Sequence, residues 1–395
     1  MIGPTPRSVG TPPAHRLPRW VLAFLGFAAA LAALVFLSPV FGSVRIPWHV
    51  VVAIVLHQVT GGAFPTAPCG SPSFLSLYFF ESAVTREGTA RLLSGLSTSY
   101  GARQCAIWTT IAWDARMPPL LLAVFAGAAL GISGGALQGT FRNPLVDPYL
   151  LGLSTGAAVG AAVLFTFNLA PAQQAAALPL LAFCGGLVPG LVVYLAARGG
   201  GRSVETLLLT GVALNFLFSA ILDLLLLYRP SSNINVNFWL LGGLGDASWT
   251  HDAIVLSALL LGGTAIGLYG RELNILQLGS DVAESVGVDA RRVTRRIVLV
   301  TTVLTATAVA FTGVIGFVGL VSPHIARRFV GPDYRRVLPV VALVGAVFLT
   351  LSWDIAETVI SPIVLPVGIP TAFVGAPFFL YLLYRRRGRA VGGPT

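Results

Sequence analysis

The sequence predicts an all-α protein that crosses a membrane about ten times. Three observations carry this: the chain is too apolar for a soluble domain, its apolar stretches are long enough to span a bilayer, and its arginines gather at their ends. Of 395 residues, 55% are hydrophobic and only 10% charged, with a mean hydropathy of +0.82. A soluble domain carries roughly 25% charged residues, so composition alone places this chain in lipid. The net charge of +10 and the pI of about 10.2 do not indicate a nucleic-acid partner, because the basic residues flank apolar runs and do not line one interleaved face. Arg7, Arg16 and Arg19 precede the first run, and Arg385, Arg386, Arg387 and Arg389 follow the last. An excess of Lys and Arg marks cytoplasmic loops, so both termini read as cytoplasmic and the number of spans as even.

Behind a cytoplasmic tail of residues 1–19, the first span is read over residues 20–44. It is too long for a signal-peptide core and lacks a small-residue cleavage site. Residues 45–115 form an external insertion, punctuated by Gly, Pro and Ser, with an apolar patch from Phe74 to Phe80. Cys69 and Cys105 fall in it, outside the cytoplasm, where disulfides persist, and a bridge between them is expected. Cys184 lies within a span and reads as a small buried apolar residue.

The membrane core, residues 116–384, opens with a second span from Pro118 to Gln138. Gly127, Ala128, Gly131, Gly134 and Gly135 there are the small residues that let helices approach closely in lipid. A third span runs from Leu150 to Asn168, a fourth from Ala176 to Ala197, a fifth from Val204 to Arg229 and a sixth from Ala253 to Tyr269. Residues 272–296 are the largest cytoplasmic segment. Spans over Ile297–Phe311, Val314–Ile325, Val337–Ile355 and Val367–Tyr384 follow, and residues 385–395 are a cytoplasmic tail. With the N-terminus inside, every arginine pair after the external insertion falls on the cytoplasmic side.

Within the cytoplasmic segment, Ser280 is positioned as an N-cap, with Asp281 and Glu284 in the first turns and Gly287 as the stop. Leu278, Val282, Ser285 and Val286 form the apolar side of this short helix, a shape suited to a groove on a partner protein. There is no G-x-x-x-x-G-K-[ST] phosphate loop, so any nucleotide chemistry belongs to another chain. No catalytic cluster converges at one depth, and His324, beside Pro323 and near Arg327 and Arg328, reads as a packing residue with no metal-ligand set around it. Acids inside spans are costly and therefore suspects for function. Asp223, Asp354 and Glu357 could line a pathway or an interface, pair with Arg229, or act as proton-relay groups.

Four segments carry a family resemblance: RNPLVDPYLLGLSTGAAVGA (Arg142 to Ala161), LGSDVAESVGVDARRV (Leu278 to Val293), GFVGLVSPHIARRFVGPDYRRVLP (Gly316 to Pro339) and LPVGIPTAFVGAPFFLYLL (Leu365 to Leu383). From Arg116 onward the chain resembles the permeases of iron-siderophore, haem and cobalamin ABC importers. The resemblance implies a homodimer around a central pathway in the bacterial inner membrane, two cytoplasmic ATPase subunits that bind the ATP, and an external substrate-binding protein; this chain itself would bind no cofactor and no metal. It implies ATPase coupling through Leu278, Ser280, Asp281, Val282, Glu284, Ser285, Val286 and Gly287. It implies a pathway lined by Leu209, Ala213, Phe216 and Ala220, and binding-protein docking at Arg116. The sequence departs from the cobalamin pattern at Pro119 and near Thr358, where further docking arginines are expected; Arg86, Arg91 and Arg103 of the insertion are candidates to replace them. The cargo stays open among the three classes. The alternative is an ion-coupled secondary transporter that uses the intramembrane acids.

Overall fold

A computed structural model of the chain describes residues 18–40, 42, 44, 46–61, 105–169, 171–198, 204–230 and 233–391. Among them the regular structure is helical throughout: α1 (Arg19–Leu37), α2 (Trp48–Val59), α3 (Met117–Thr140), α4 (Leu153–Phe167), α5 (Gln174–Arg198), α6 (Val204–Tyr228), α7 (Asn233–Leu240), α8 (Trp249–Leu268), α9 (Gly270–Leu276), α10 (Ser280–Ser285), α11 (Ala290–Thr312), α12 (Val318–Val330), α13 (Tyr334–Thr358) and α14 (Gly368–Val391). Among the described residues seven helices are long and apolar enough to cross a membrane, by length and composition.

Helix α3 is the axis of the bundle. Only Leu121, Val124 and Phe125 of its 24 residues escape burial, and α8, α11, α12 and α13 all pack on it. Its glycines explain how a helix can be so enclosed. Gly127 lies against the backbone of Gly345 in α13, where a Cβ would stand 2.4 Å from the Gly345 carbonyl oxygen. In lipid, where association rests on close packing more than on hydrophobic exclusion, such small residues set the approach of the helices. A second pair, α4 and α5, closes in the same way through Gly156 and Gly185.

Three span boundaries differ from the sequence reading. The first span ends at Leu37 and turns through a 3₁₀ segment, Ser38–Val40; Pro39 disfavours continued helix in the residue before it. The second begins earlier, as one continuous helix from Cys105 to Thr140 of 36 residues, with a π-helical stretch at Thr110–Arg116. At 1.5 Å per residue that is about 54 Å, against about 30 Å of hydrocarbon, so its outer end projects beyond the membrane. There it carries α2, whose Val50, Val51 and Ile54 are buried in one cluster with Ala112. The expected eighth span is α12, only 13 residues long. That is about 20 Å, shorter than the hydrocarbon core; among the described residues Trp48–Val59, Leu153–Phe167 and Gly368–Leu382 are further short apolar helices beside the seven long ones.

Candidate functional site

The segment expected on the cytoplasmic side forms two short helices, α9 and α10, folded back to lead into α11. Gly279, at φ +122, opens α10. This corrects the expected cap: Ser280 is already the first helical residue, and its hydroxyl lies 3.4 Å from the Asp281 carboxylate. The stop is as expected. Gly287 takes φ +84, its N–H donates to the Glu284 carbonyl at 3.0 Å, and that of Val288 donates to the Ala283 carbonyl at 2.8 Å. This is a Schellman closure, in which glycine holds a left-handed position that a Cβ disfavours.

The mounting of α10 is one-sided. Ala283 is fully buried against Leu273, Leu276, Ala290 and Val293, while Leu278, Val282 and Val286 stand 70%, 42% and 61% exposed. Asp281, Glu284 and Ser285 are exposed around them. A small helix is thus fixed at its base and offers an apolar crest ringed by polar groups, the composition of a protein-docking surface. The hairpin is also tied to the bundle. Asn274 in α9 donates to the Asp333 carboxylate at 2.7 Å and accepts from the Tyr334 N–H at 2.8 Å, across the start of α13. That hydrogen bond from Asn274 holds the Asp333 carboxyl below its ordinary range. The contribution is therefore complete above the ordinary carboxylate range and is lost as pH falls through the depressed value.

Leu209, Ala213, Phe216 and Ala220 lie on one face of α6, and all four are exposed, Phe216 at 74%. The opposite face buries Leu207 and Leu222, and α6 packs on α4 and α5. Asp223 continues the open face and is itself exposed. An uncompensated carboxylate facing acyl chains is costly, so this face suits a hydrated passage or a protein interface better than lipid. Arg229 donates to the Thr166 carbonyl at 2.8 Å.

The outer ends of the bundle correct one expected role. Arg116 is 7% exposed; it donates to the carbonyls of Pro39 at 2.7 Å and Val44 at 2.6 Å and pairs with Glu357 at 3.7 Å. These contacts clasp the turn after α1 to the end of α13, so this buried guanidinium serves as a structural clamp where the resemblance implies an exposed docking charge. Asp354 accepts from the Ser38 hydroxyl beside it. Of the three acids that a proton relay could use, Glu357 pairs with Arg116 and Asp354 accepts from Ser38, while Asp223 stays exposed on α6. Removing one partner of a buried pair strands the other. Arg116→Ala is expected to lower stability by about 3–5 kcal/mol, read as a fall in the thermal midpoint. Glu357→Gln in the same background should recover part of the loss, and an unchanged midpoint for Arg116→Ala would remove the clamp.

Of the other candidates, Arg86, Arg91, Arg103 and Cys69 lie outside the described residues, Cys105 begins the long second helix, and Cys184, expected to be buried, is exposed on α5. His324 meets Phe378 edge-on, with ring centroids 5.8 Å apart. Among the described residues no group of three or more His, Cys, Asp or Glu could hold a metal. Arg142 ends α3 in the left-handed region at φ 52, and Asp147 caps the 3₁₀ turn that follows by accepting from the Tyr149 N–H at 2.9 Å.

The profile of the FecCD transport family matches residues 30–385. The chain is 42% identical to the cobalamin import system permease protein BtuC of Halobacterium salinarum, over 70% of this chain and 74% of that one. It is 39% identical to the hemin transport system permease protein HmuU of Yersinia pestis, over 75% and 88%. Against the Fe(3+) dicitrate transport system permease protein FecD of Escherichia coli the identity is 38%, over 69% and 84%. A solved structure described as an inward-facing conformation of a metal-chelate type ABC transporter superposes with a TM-score of 0.72 at 24% identity, covering 92% of this chain and 99% of that one. At that identity the likeness concerns the fold.

Proposed function

This chain belongs to the FecCD transport family, and on that premise we propose that it is the membrane-spanning permease subunit of an ATP-driven importer for an iron chelate, haem or cobalamin. The observation that carries the reading is the α9–α10 hairpin, whose apolar crest of Leu278, Val282 and Val286 is exposed on a fixed base. ATP is bound and hydrolysed by a separate ATPase subunit, which receives the crest in a groove. This chain performs no covalent chemistry and holds no cofactor. Leu209, Ala213, Phe216 and Ala220 line the pathway, with a second copy of the chain facing them across it. Apolar and small side chains there suit a bulky cargo passed along without tight polar contacts. An external binding protein delivers the cargo to the outer end, where Arg91 and Arg103 supply charge now that Arg116 is engaged internally. The setting is the inner membrane of a bacterium.

The test is uptake in cells or proteoliposomes containing the chain, its ATPase and its binding protein. Uptake is expected to stop when the ATPase is inactivated and to survive collapse of the proton gradient. The reverse pattern would overturn the reading in favour of an ion-coupled transporter. The molecule retained by the partner binding protein then identifies the cargo.

A further inference from the structure

Beneath the docking crest runs a chain of polar contacts that neither pathway lining nor docking accounts for. It begins at Asn274 of α9, which grips the first turn of α13 through the Tyr334 N–H and the Asp333 carboxylate. Tyr334 is 1% exposed, with its ring packed on α3 so closely that a Cβ at Gly139 would stand 2.8 Å from it. The Tyr334 hydroxyl accepts from one terminal nitrogen of Arg327 at 3.4 Å. The other terminal nitrogen of Arg327 donates to the Gln138 side-chain oxygen. Finally the Gln138 amide nitrogen, 3% exposed as a residue, donates to the Gly319 carbonyl at 3.2 Å.

The geometry of these links matters more than their number. Arg327 lies near the C-terminal end of α12 and Gly319 in its first turn, so Gln138 of α3 holds this short helix at both ends. The segment just before α12 is itself constrained: Phe317 sits at φ +70, and the Tyr149 hydroxyl donates to the Ile315 carbonyl at 2.8 Å and accepts from its N–H at 3.1 Å. Buried side-chain hydrogen bonds of this kind have few alternative arrangements, because a broken partner is left unsatisfied out of water. A displacement of the hairpin must therefore either move α12 or break the chain.

We propose that Gln138, Arg327 and Tyr334 are positioning residues that link movement of the α9–α10 hairpin to α12, and through it couple nucleotide turnover on a partner to passage through the membrane. This rests on the permease reading above. None of the three touches the exposed crest, so each can be altered without altering the docking surface.

The experiment uses the full chain with its ATPase and binding protein in proteoliposomes, loaded in turn with a ferric siderophore, haemin and cyanocobalamin. Tyr334→Phe removes the hydroxyl and keeps the ring on Gly139; Gln138→Leu removes both amide contacts. Each is expected to assemble with the ATPase and hydrolyse ATP near the unaltered rate while cargo delivered per ATP falls roughly tenfold, within the range by which residues along a coupling route act. Gln138→Glu keeps the acceptor for Arg327 and should regain part of the loss. The double variant should do no worse than the poorer single one, as expected for links in one series. Cargo per ATP unchanged in both single variants overturns the proposal, and so does a parallel fall of hydrolysis and transport, which is what simple loss of structure produces. If the unaltered chain binds no ATPase or accumulates none of the three cargoes, it is the permease reading that fails.

Discussion

Gly345→Val is expected to yield no folded, monodisperse protein. A Cβ at Gly345 would stand 2.2 Å from the Gly127 carbonyl oxygen, and one at Gly127 would stand 2.4 Å from that of Gly345. The contact is backbone on backbone, so no side chain can swing aside, and the only relief is to part α3 from α13. These two helices form the most extensive pair in the bundle, and parting them opens gaps along their whole length. Overpacking that a rotamer change can absorb costs about 1–3 kcal/mol; here the cost should exceed about 4 kcal/mol, a range reserved for gross disruption. The control is Gly267→Ala in α8, where an added Cβ meets nothing within 4 Å. That change should be neutral or stabilise by up to about 1 kcal/mol through helix propensity. Size-exclusion profiles and thermal midpoints of the two variants decide the matter: a well-behaved Gly345→Val would mean the helices are not locked by this crossing.

The features legible in the sequence were those governed by period and by size. The glycines of α3 are readable because lipid-embedded contacts demand small residues, and the shared exposed face of Leu209, Ala213, Phe216 and Ala220 on α6 because spacings of three and four place them on one side; the pathway role given to that face is what the family resemblance implies. Gly287 was readable as a stop for the same local reason. What failed depended on partners remote in sequence. The resemblance implies docking at Arg116, and nothing nearby in sequence reveals Glu357 or the Pro39 and Val44 carbonyls that engage it. Ser280 looked like a cap because Gly279 gives no side-chain signal for its φ of +122. Tyr334 and Gln138 carry no sequence signal, and Arg327 reads as a topology signal, since only the fold brings α3, α12 and α13 together around them.

Aspartates at Leu278 and Val282 are expected to abolish productive assembly with the ATPase while leaving this chain folded. Both side chains are exposed, at 70% and 42%, so in the free chain the new charges remain in water and touch nothing buried; the thermal midpoint should not move. In the complex the same charges would have to enter an apolar groove, losing hydration without a partner. Truncation or charge insertion at the centre of such a surface costs at least about 2 kcal/mol, or about thirtyfold in affinity per position. Two adjacent positions should therefore take the complex below detection in a pull-down. Glu284→Ala, at the polar margin of the same helix, should weaken binding far less, because rim charges act mainly on the rate of encounter. Co-elution of the doubly substituted chain with the ATPase at the unaltered ratio would show that the crest is not the docking surface. A weakened complex with a lowered midpoint would instead mean that α10 had come loose from its base around Ala283.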